Sequence, residues 1–153
     1  MAQTSAGILL YRGEGDSLEV LLVHPGGPFW AKKDEGAWSI PKGEVEEEEE
    51  SRACALRELE EEVGSSLDLT PEQLIELGEV RLKSGKRVHG WAAEGDFDPA
   101  TLRSNTFAME WPPRSGKQRE FPEVDRAEWF APEQARLKIA PAQAAFIDRL
   151  LAR

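Results

Sequence analysis

The chain is poor in the residues that staple or anchor a protein. It has one cysteine in 153 residues, Cys54, so an intrachain disulfide is excluded and a reducing cytoplasm is the expected setting. There are two histidines, His24 and His89, with no further His or Cys at ligand spacing, which argues against a zinc site. No apolar run approaches the roughly 20 residues of a membrane span, and mean hydropathy is −0.52. Met1 to Tyr11 lacks the basic start and long apolar stretch of a signal peptide. A basic face is also missing. Net charge is −10, and ten glutamates against two arginines between Glu44 and Glu62 place −8 of it in one segment. Binding to long nucleic acid or to an anionic membrane is therefore not expected.

What remains is ordinary globular material. Hydrophobic residues make up 40% and charged residues 31%, which fits a single domain over residues 1–153 rather than a disordered or collagen-like chain. Ala6–Tyr11 and Leu18–Val23 read as a hairpin about Gly13–Asp16. His24 to Gly36 reads as a loop, Ala37–Ile40 as a short strand, and Ser51–Val63 as a helix capped by Gly64. Strands are expected over Leu74–Leu82, Arg87–Ala93, Asn105–Trp111 and Ala127–Phe130, and a terminal helix over Pro141–Leu151. Hairpins with one central and one terminal helix suit an α/β sandwich with a mixed β-sheet.

The helix carries the chemistry. At about 100° per residue, Glu58, Glu61 and Glu62 fall on one side and Leu56, Leu59, Val63 and Ala53 on the other. Packing the apolar stripe on a sheet would turn the three carboxylates outward together. Such a cluster is either a solvated acidic face or a site for a hard divalent cation, which favours carboxylate oxygens.

The run is part of a longer pattern. Gly43 is followed by Glu49, then Arg57-Glu58-Leu59, then Glu61-Glu62 and Gly64. This resembles the Nudix box, the signature of the Nudix hydrolase family. Only Ser65 departs, standing where the family has an aliphatic residue; Leu67 is the candidate to supply that packing.

The resemblance implies an α/β/α sandwich and a hydrolase of phosphoric anhydride bonds that uses Mg²⁺ or Mn²⁺. By the same resemblance Gly43, Glu58, Glu61 and Glu62 match the metal-binding positions. Arg57 matches the arginine that holds the glutamates, and Glu49 a partly structural glutamate. Divalent ions neutralise phosphate oxygens and acidify a bound water, so no covalent nucleophile is needed; Cys54 reads as a small packed residue. The resemblance also implies an additional glutamate from a loop before a late strand as general base, for which Glu120 and Glu123 are the candidates.

Pro41-Lys42-Gly43 resembles members acting on dinucleoside polyphosphates such as diadenosine tetraphosphate. The substrate alternatives are a nucleoside triphosphate or a nucleotide sugar. A non-catalytic nucleotide-binding module is a third reading. Lys42, the Trp30/Lys33 pair in Phe29–Lys33, and Arg114 with Lys117 in a basic loop are the candidate substrate contacts. Trp91, Trp111 and Trp129 are expected in the core. The protein is expected to act as a monomer or homodimer on a nucleotide polyphosphate.

Overall fold

A computed structural model of the chain describes residues 4–64 and 67–153. Its centre is β1 (Thr4–Arg12), in which every residue from Ser5 to Leu10 is buried. A strand buried on both faces needs cover on both. Ile8 and Leu10 pack on one side, toward the helix α1 (Ser51–Val63), whose Cys54, Ala55, Leu59 and Val63 share their cluster. Leu9 packs on the other, with Ala135 and Ile139 from α2 (Pro132–Lys138) and its end, and Phe146, Ile147 and Leu150 from α3 (Ala144–Leu151). The result is the α/β/α sandwich with a mixed sheet that the sequence suggests.

The remaining strands are β2 (Glu19–Pro25), β3 (Lys42–Glu44), β4 (Ile75–Arg81), β5 (Arg87–Glu94), β6 (Thr106–Glu110), β7 (Gln118–Pro122) and β8 (Val124–Phe130). The sheet runs β4-β5-β1-β2-β8, and β6 with β7 forms a separate two-stranded ribbon. β1 and β5 are parallel in register from Thr4↔Arg87 to Tyr11↔Glu94. β1 meets β2 only at Tyr11 and Arg12; at its other end β3 takes that edge, pairing Ala6 with Gly43. β1 and β2 thus splay apart, and residues 39–44 fill the wedge, with Ser39 bridging to Val23. The wedge delivers Lys42 and Gly43 to the foot of α1.

Several expectations are corrected. Ala37–Ile40 is not a strand: only Trp38 and Ser39 make isolated bridges, because the wedge gives each a single partner. Lys42–Glu44 is a strand although flanked by Pro41 and containing Gly43, since β1 leaves its edge free there. β7 begins at Gln118, past Arg114 and Lys117, and takes in Glu120, read as part of a loop; its polar sequence takes its order from pairing with β6 across Phe107↔Phe121. α2 is not among the expected elements, despite Pro132 in its first turn and Arg136 and Lys138 in its last, both ordinary helix signals. The terminal helix starts at Ala144, after a short 3₁₀ turn at Pro141–Gln143.

The helix over Ser51–Val63 and its left-handed cap at Gly64, φ 81°, stand as expected. Ser65 lies outside the described residues, while Leu67 does pack against the α1-side core. Trp91 is buried; Trp111 and Trp129 are only half-buried at the margins, so the core expectation holds fully for Trp91 alone.

Candidate active site

The buried arc of α1 differs from the expected one. It runs through Cys54, Ala55, Leu59 and Val63, while Ala53 is exposed. On the helical wheel that arc is centred close to Glu58 and Glu62, so these two carboxylates face the sheet instead of turning away. Glu58 and Glu62 are partly enclosed, and only Glu61, 44% exposed at its side chain, points outward. The expectation of three glutamates facing solvent together is therefore corrected. Small residues at 54 and 55 let the helix roll toward β3, where Cys54 Sγ donates to the carbonyls of Gly43 and Glu44 at 3.6 and 3.5 Å. Burial pushes the thiol up to about 11, which suits a packed residue and not a nucleophile.

Gly43 makes the close approach possible. A Cβ on it would stand 2.0 Å from Glu58 Cδ. Gly43→Ala is expected to push the Glu58 carboxylate aside while the backbone stays put. Activity should fall about 100-fold, from a displacement of about an ångström, with the thermal midpoint nearly unchanged; paired turnover and melting curves check this.

Arg57 binds the acidic cluster together. Its Nε and Nη2 donate to the two oxygens of Glu49 at 2.9 and 3.0 Å, and its Nη1 donates to Glu58 at 3.0 Å and to Glu61 at 3.4 Å. The Arg57 hydrogen bonds hold Glu49 down to about 2.

Glu62 sits apart from that cation. Its Oε2 is buried without a hydrogen-bond partner, and desolvation, with Glu58 next, pushes it up to about 8. Glu58 is raised too, chiefly by desolvation and against the pull of Arg57. Lys42 is lowered by its own burial. Glu62 and Lys42 line a pocket of about 170 Å³ with Val23, Pro25, Ser39, Ile40, Glu123 and Val124.

Glu123 is therefore at the site, and its charge acts on both Glu58 and Glu62. Main-chain bonds fix it: its N–H donates to Asn105 at 2.8 Å and its carbonyl accepts from Gly26 at 2.9 Å. Glu120 lies on β7, exposed and paired with Ala108, outside the pocket lining.

Two segments spring from the pocket's edge. The loop after Pro25 carries Phe29 and Trp30, 61% and 40% exposed, with Lys33 Nζ 5.0 Å from the Trp30 ring centre. The β6–β7 ribbon ends next to Glu123. Phe29 meets Trp111 edge-on at 5.6 Å, which brings the loop to the ribbon. Arg114 and Lys117 are exposed in the ribbon's turn, where the Arg114 N–H donates to Glu110. Neither Arg114 nor Lys117 lines the pocket. Sequence reasoning missed Ser39, whose Oγ accepts from Gln143 Nε2 at 3.1 Å; no motif marks it.

Among the described residues, no three His, Cys, Asp or Glu side chains stand together as a ready metal cluster. Glu61 shares Arg57 with Glu58, at 3.4 and 3.0 Å. The donor set nevertheless fits a hard cation. A buried oxygen of Glu62 lacks any partner, desolvation raises both Glu58 and Glu62, and the bare Cα of Gly43 lets the Glu58 carboxylate lie against its main chain. Glu58, Glu61, Glu62 and the Gly43 carbonyl are the groups that would hold it.

A NUDIX-domain family model matches residues 1–150. No curated protein matches the chain in sequence. Among solved structures, a Caenorhabditis elegans Ap4A hydrolase in a binary complex is 23% identical, with 97% of this chain and 96% of that one covered and a TM-score of 0.64. The NUDIX domain of Shewanella oneidensis NrtR, complexed with ADP ribose, is 17% identical over 100% and 88%, TM-score 0.66. The MutT protein of Methanosarcina mazei Go1 is 17% identical over 99% and 94%, TM-score 0.63. These likenesses establish the fold, the family match covers nearly the whole chain, and the chain belongs to the NUDIX family.

Proposed function

We propose that this protein is a Mg²⁺- or Mn²⁺-dependent pyrophosphohydrolase whose substrate is a dinucleoside polyphosphate such as diadenosine tetraphosphate. Hydrolysis of a pyrophosphate bond comes with the family; the substrate, the metal and the residue roles are this reading's own. The observation that carries it is the buried, unpartnered oxygen of Glu62 in a pocket shared with Lys42 and Glu123. A divalent ion bound there supplies charge neutralisation for phosphate and a more acidic water. Glu58, Glu61, Glu62 and the Gly43 carbonyl would hold the ion, and Arg57 keeps Glu58 and Glu61 oriented. Glu123, fixed by its main chain, takes the proton from the attacking water. Lys42 draws a phosphate oxygen into the pocket.

A substrate with a second nucleoside explains the features beyond the pocket. Trp30 with Lys33 offers a ring face and a cation for a base and its phosphate. Arg114 and Lys117 lie along the ribbon for the far end of the polyanion. The described residues contain no helix long and apolar enough to cross a membrane, and the single buried cysteine suits a reducing cytoplasm.

The test is a panel of diadenosine tetraphosphate, nucleoside triphosphates, ADP-ribose and nucleotide sugars with Mg²⁺ and Mn²⁺, products separated by chromatography. ATP plus AMP from the tetraphosphate is the expected result. Glu123→Gln should lose about 100-fold or more of kcat, as a general base does, and Glu120→Gln about twofold at most. Turnover confined to triphosphates would move the substrate. No metal-dependent turnover at all would leave a nucleotide-binding module.

A further inference from the structure

His24, on β2, is fully buried and takes no part in the carboxylate site. Its Nδ1 lies 2.8 Å from Asp125 Oδ1, and its Nε2 lies 2.7 Å from the carbonyl oxygen of Lys33. We propose that His24 is a positioning residue: a doubly protonated ring, held by Asp125, that pins the Trp30–Lys33 loop beside the pocket.

The argument is one of donors and acceptors. A main-chain carbonyl only accepts, so Nε2 must carry a proton to approach it at this distance. Asp125 ionised also only accepts, so Nδ1 must carry one as well. The alternative, a protonated Asp125 beside a neutral ring, is disfavoured by the charges around the pair. Arg126 Nε lies 3.9 Å from Asp125 Oδ1, with its guanidinium 5.1 Å from the Trp38 ring. Trp38 meets His24 edge-on at 5.1 Å and gives its indole N–H to Asp34, which also pairs with Lys138. The ammonium of Lys33 itself is turned to Trp30. Among the described residues, the carboxylates of Asp125 and Asp34 and the cations Arg126, Lys138 and Lys33 are the charged groups surrounding the ring.

The consequence reaches the substrate segment through short links. The Lys33 N–H donates to the Trp30 carbonyl at 2.9 Å, and the Trp30 N–H to the Gly27 carbonyl at 3.3 Å. Fixing the Lys33 carbonyl therefore fixes where Trp30 stands. If Nε2 loses its proton, a lone pair faces the carbonyl oxygen across 2.7 Å, and that contact turns from bond to repulsion. The loop then lets go. Binding through Trp30 and Lys33 should weaken when that bond is lost, while the metal-holding Glu58 and Glu62 and the base Glu123 are left in place.

This rests on the reading that the loop touches substrate, so the test separates the two. ¹⁵N–¹H NMR of the His24 ring in the substrate-free protein near pH 7 should show both nitrogens protonated. Trypsin cleavage after Lys32 and Lys33 should be slow while that signature is present. Asp125→Asn, which keeps the ring buried but removes its countercharge, should show a singly protonated ring at pH 7. Its loop should be cut about tenfold faster, and its KM for the nucleotide should rise about fivefold with kcat within about twofold. His24→Gln should also loosen the loop. A singly protonated ring in the unaltered protein overturns the proposal, as does unchanged cleavage in folded Asp125→Asn. If cleavage rises but KM does not, and Trp30→Ala also leaves KM unchanged, the loop does not bind substrate. The functional half of the proposal then falls with that reading.

Discussion

Glu62→Gln is expected to abolish metal-dependent turnover, by about a thousandfold or more, and at the same time to remove a pH-dependent weakness of the metal-free fold. The sign follows from Glu62 being raised to about 8 by burial. Unfolded, the same carboxyl ionises in the ordinary glutamate range near 4.3. Between those values the folded state holds a proton that the unfolded state has released, so folding stability falls as pH rises through the window. Below it the contribution is fully present, and above about 8 it is lost. A tenfold difference in proton affinity between the two states corresponds to about 1.4 kcal/mol, so the whole interval is worth about 5 kcal/mol at most, of which a decline of about 2–4 kcal/mol is expected between about pH 5 and 8.5. The measurement is chemical denaturation from pH 5 to 8.5 without divalent ions. The unaltered protein should lose stability across the range, and Glu62→Gln should lose far less. Millimolar Mg²⁺ should restore the unaltered protein at pH 8 and leave the variant unmoved, because a bound cation supplies the countercharge that the buried oxygen lacks. An unaltered protein with a flat profile and no response to Mg²⁺ would contradict the assignment of Glu62.

The second large effect is expected at Arg57. Its guanidinium is the shared partner of Glu49, Glu58 and Glu61, with Glu46 at 3.6 Å. Arg57→Ala leaves these carboxylates facing one another without a cation. The side chain is 30% exposed, so water and salt soften the loss, and a destabilisation of about 2 kcal/mol is expected. Activity should fall further than stability suggests, by about 100-fold, because Glu58 loses the bond that orients it over Gly43. Arg57→Lys should recover part of the stability but little of the activity, since an ammonium cannot span Glu49 with two donors and reach Glu58 as well. Raised salt should narrow the stability gap for the alanine variant and leave the activity gap open. Equilibrium denaturation at two ionic strengths beside kcat/KM distinguishes the two contributions.

Much of the fold and of the site is legible in the amino-acid sequence. The helix over Ser51–Val63 and the cap at Gly64 are local matters of propensity, spacing and a residue tolerant of positive φ. The unbroken apolar character of Ile8–Leu10 calls for cover on both sides of a sheet. The spacing from Gly43 to Gly64 identifies the family and names the residues at its centre. The carboxylate pattern alone, however, put Glu58, Glu61 and Glu62 on an outward face. That failed because Cys54 and Ala55, weak signals by volume, let the helix settle toward β3 and carry Glu58 and Glu62 inward with it.

Residue order and composition suffice for the family, the layered architecture and the chemical identity of the site: carboxylates on a helix, an arginine among them and a glycine beneath. These depend on near neighbours in the chain. The placing of Glu123 in the pocket lining, with Glu120 outside it, needed the folded molecule, because a main-chain anchor between Asn105 and Gly26, residues distant in sequence, holds Glu123 there. So did the separation of an Arg57-bound set of carboxylates from Glu62, with its one buried, unpartnered oxygen, since desolvation arises from packing and has no local sequence signature. Folding also placed the loop after Pro25 against the β6–β7 ribbon and the ring of His24 beneath Lys33, contacts made when separate strands close on one another.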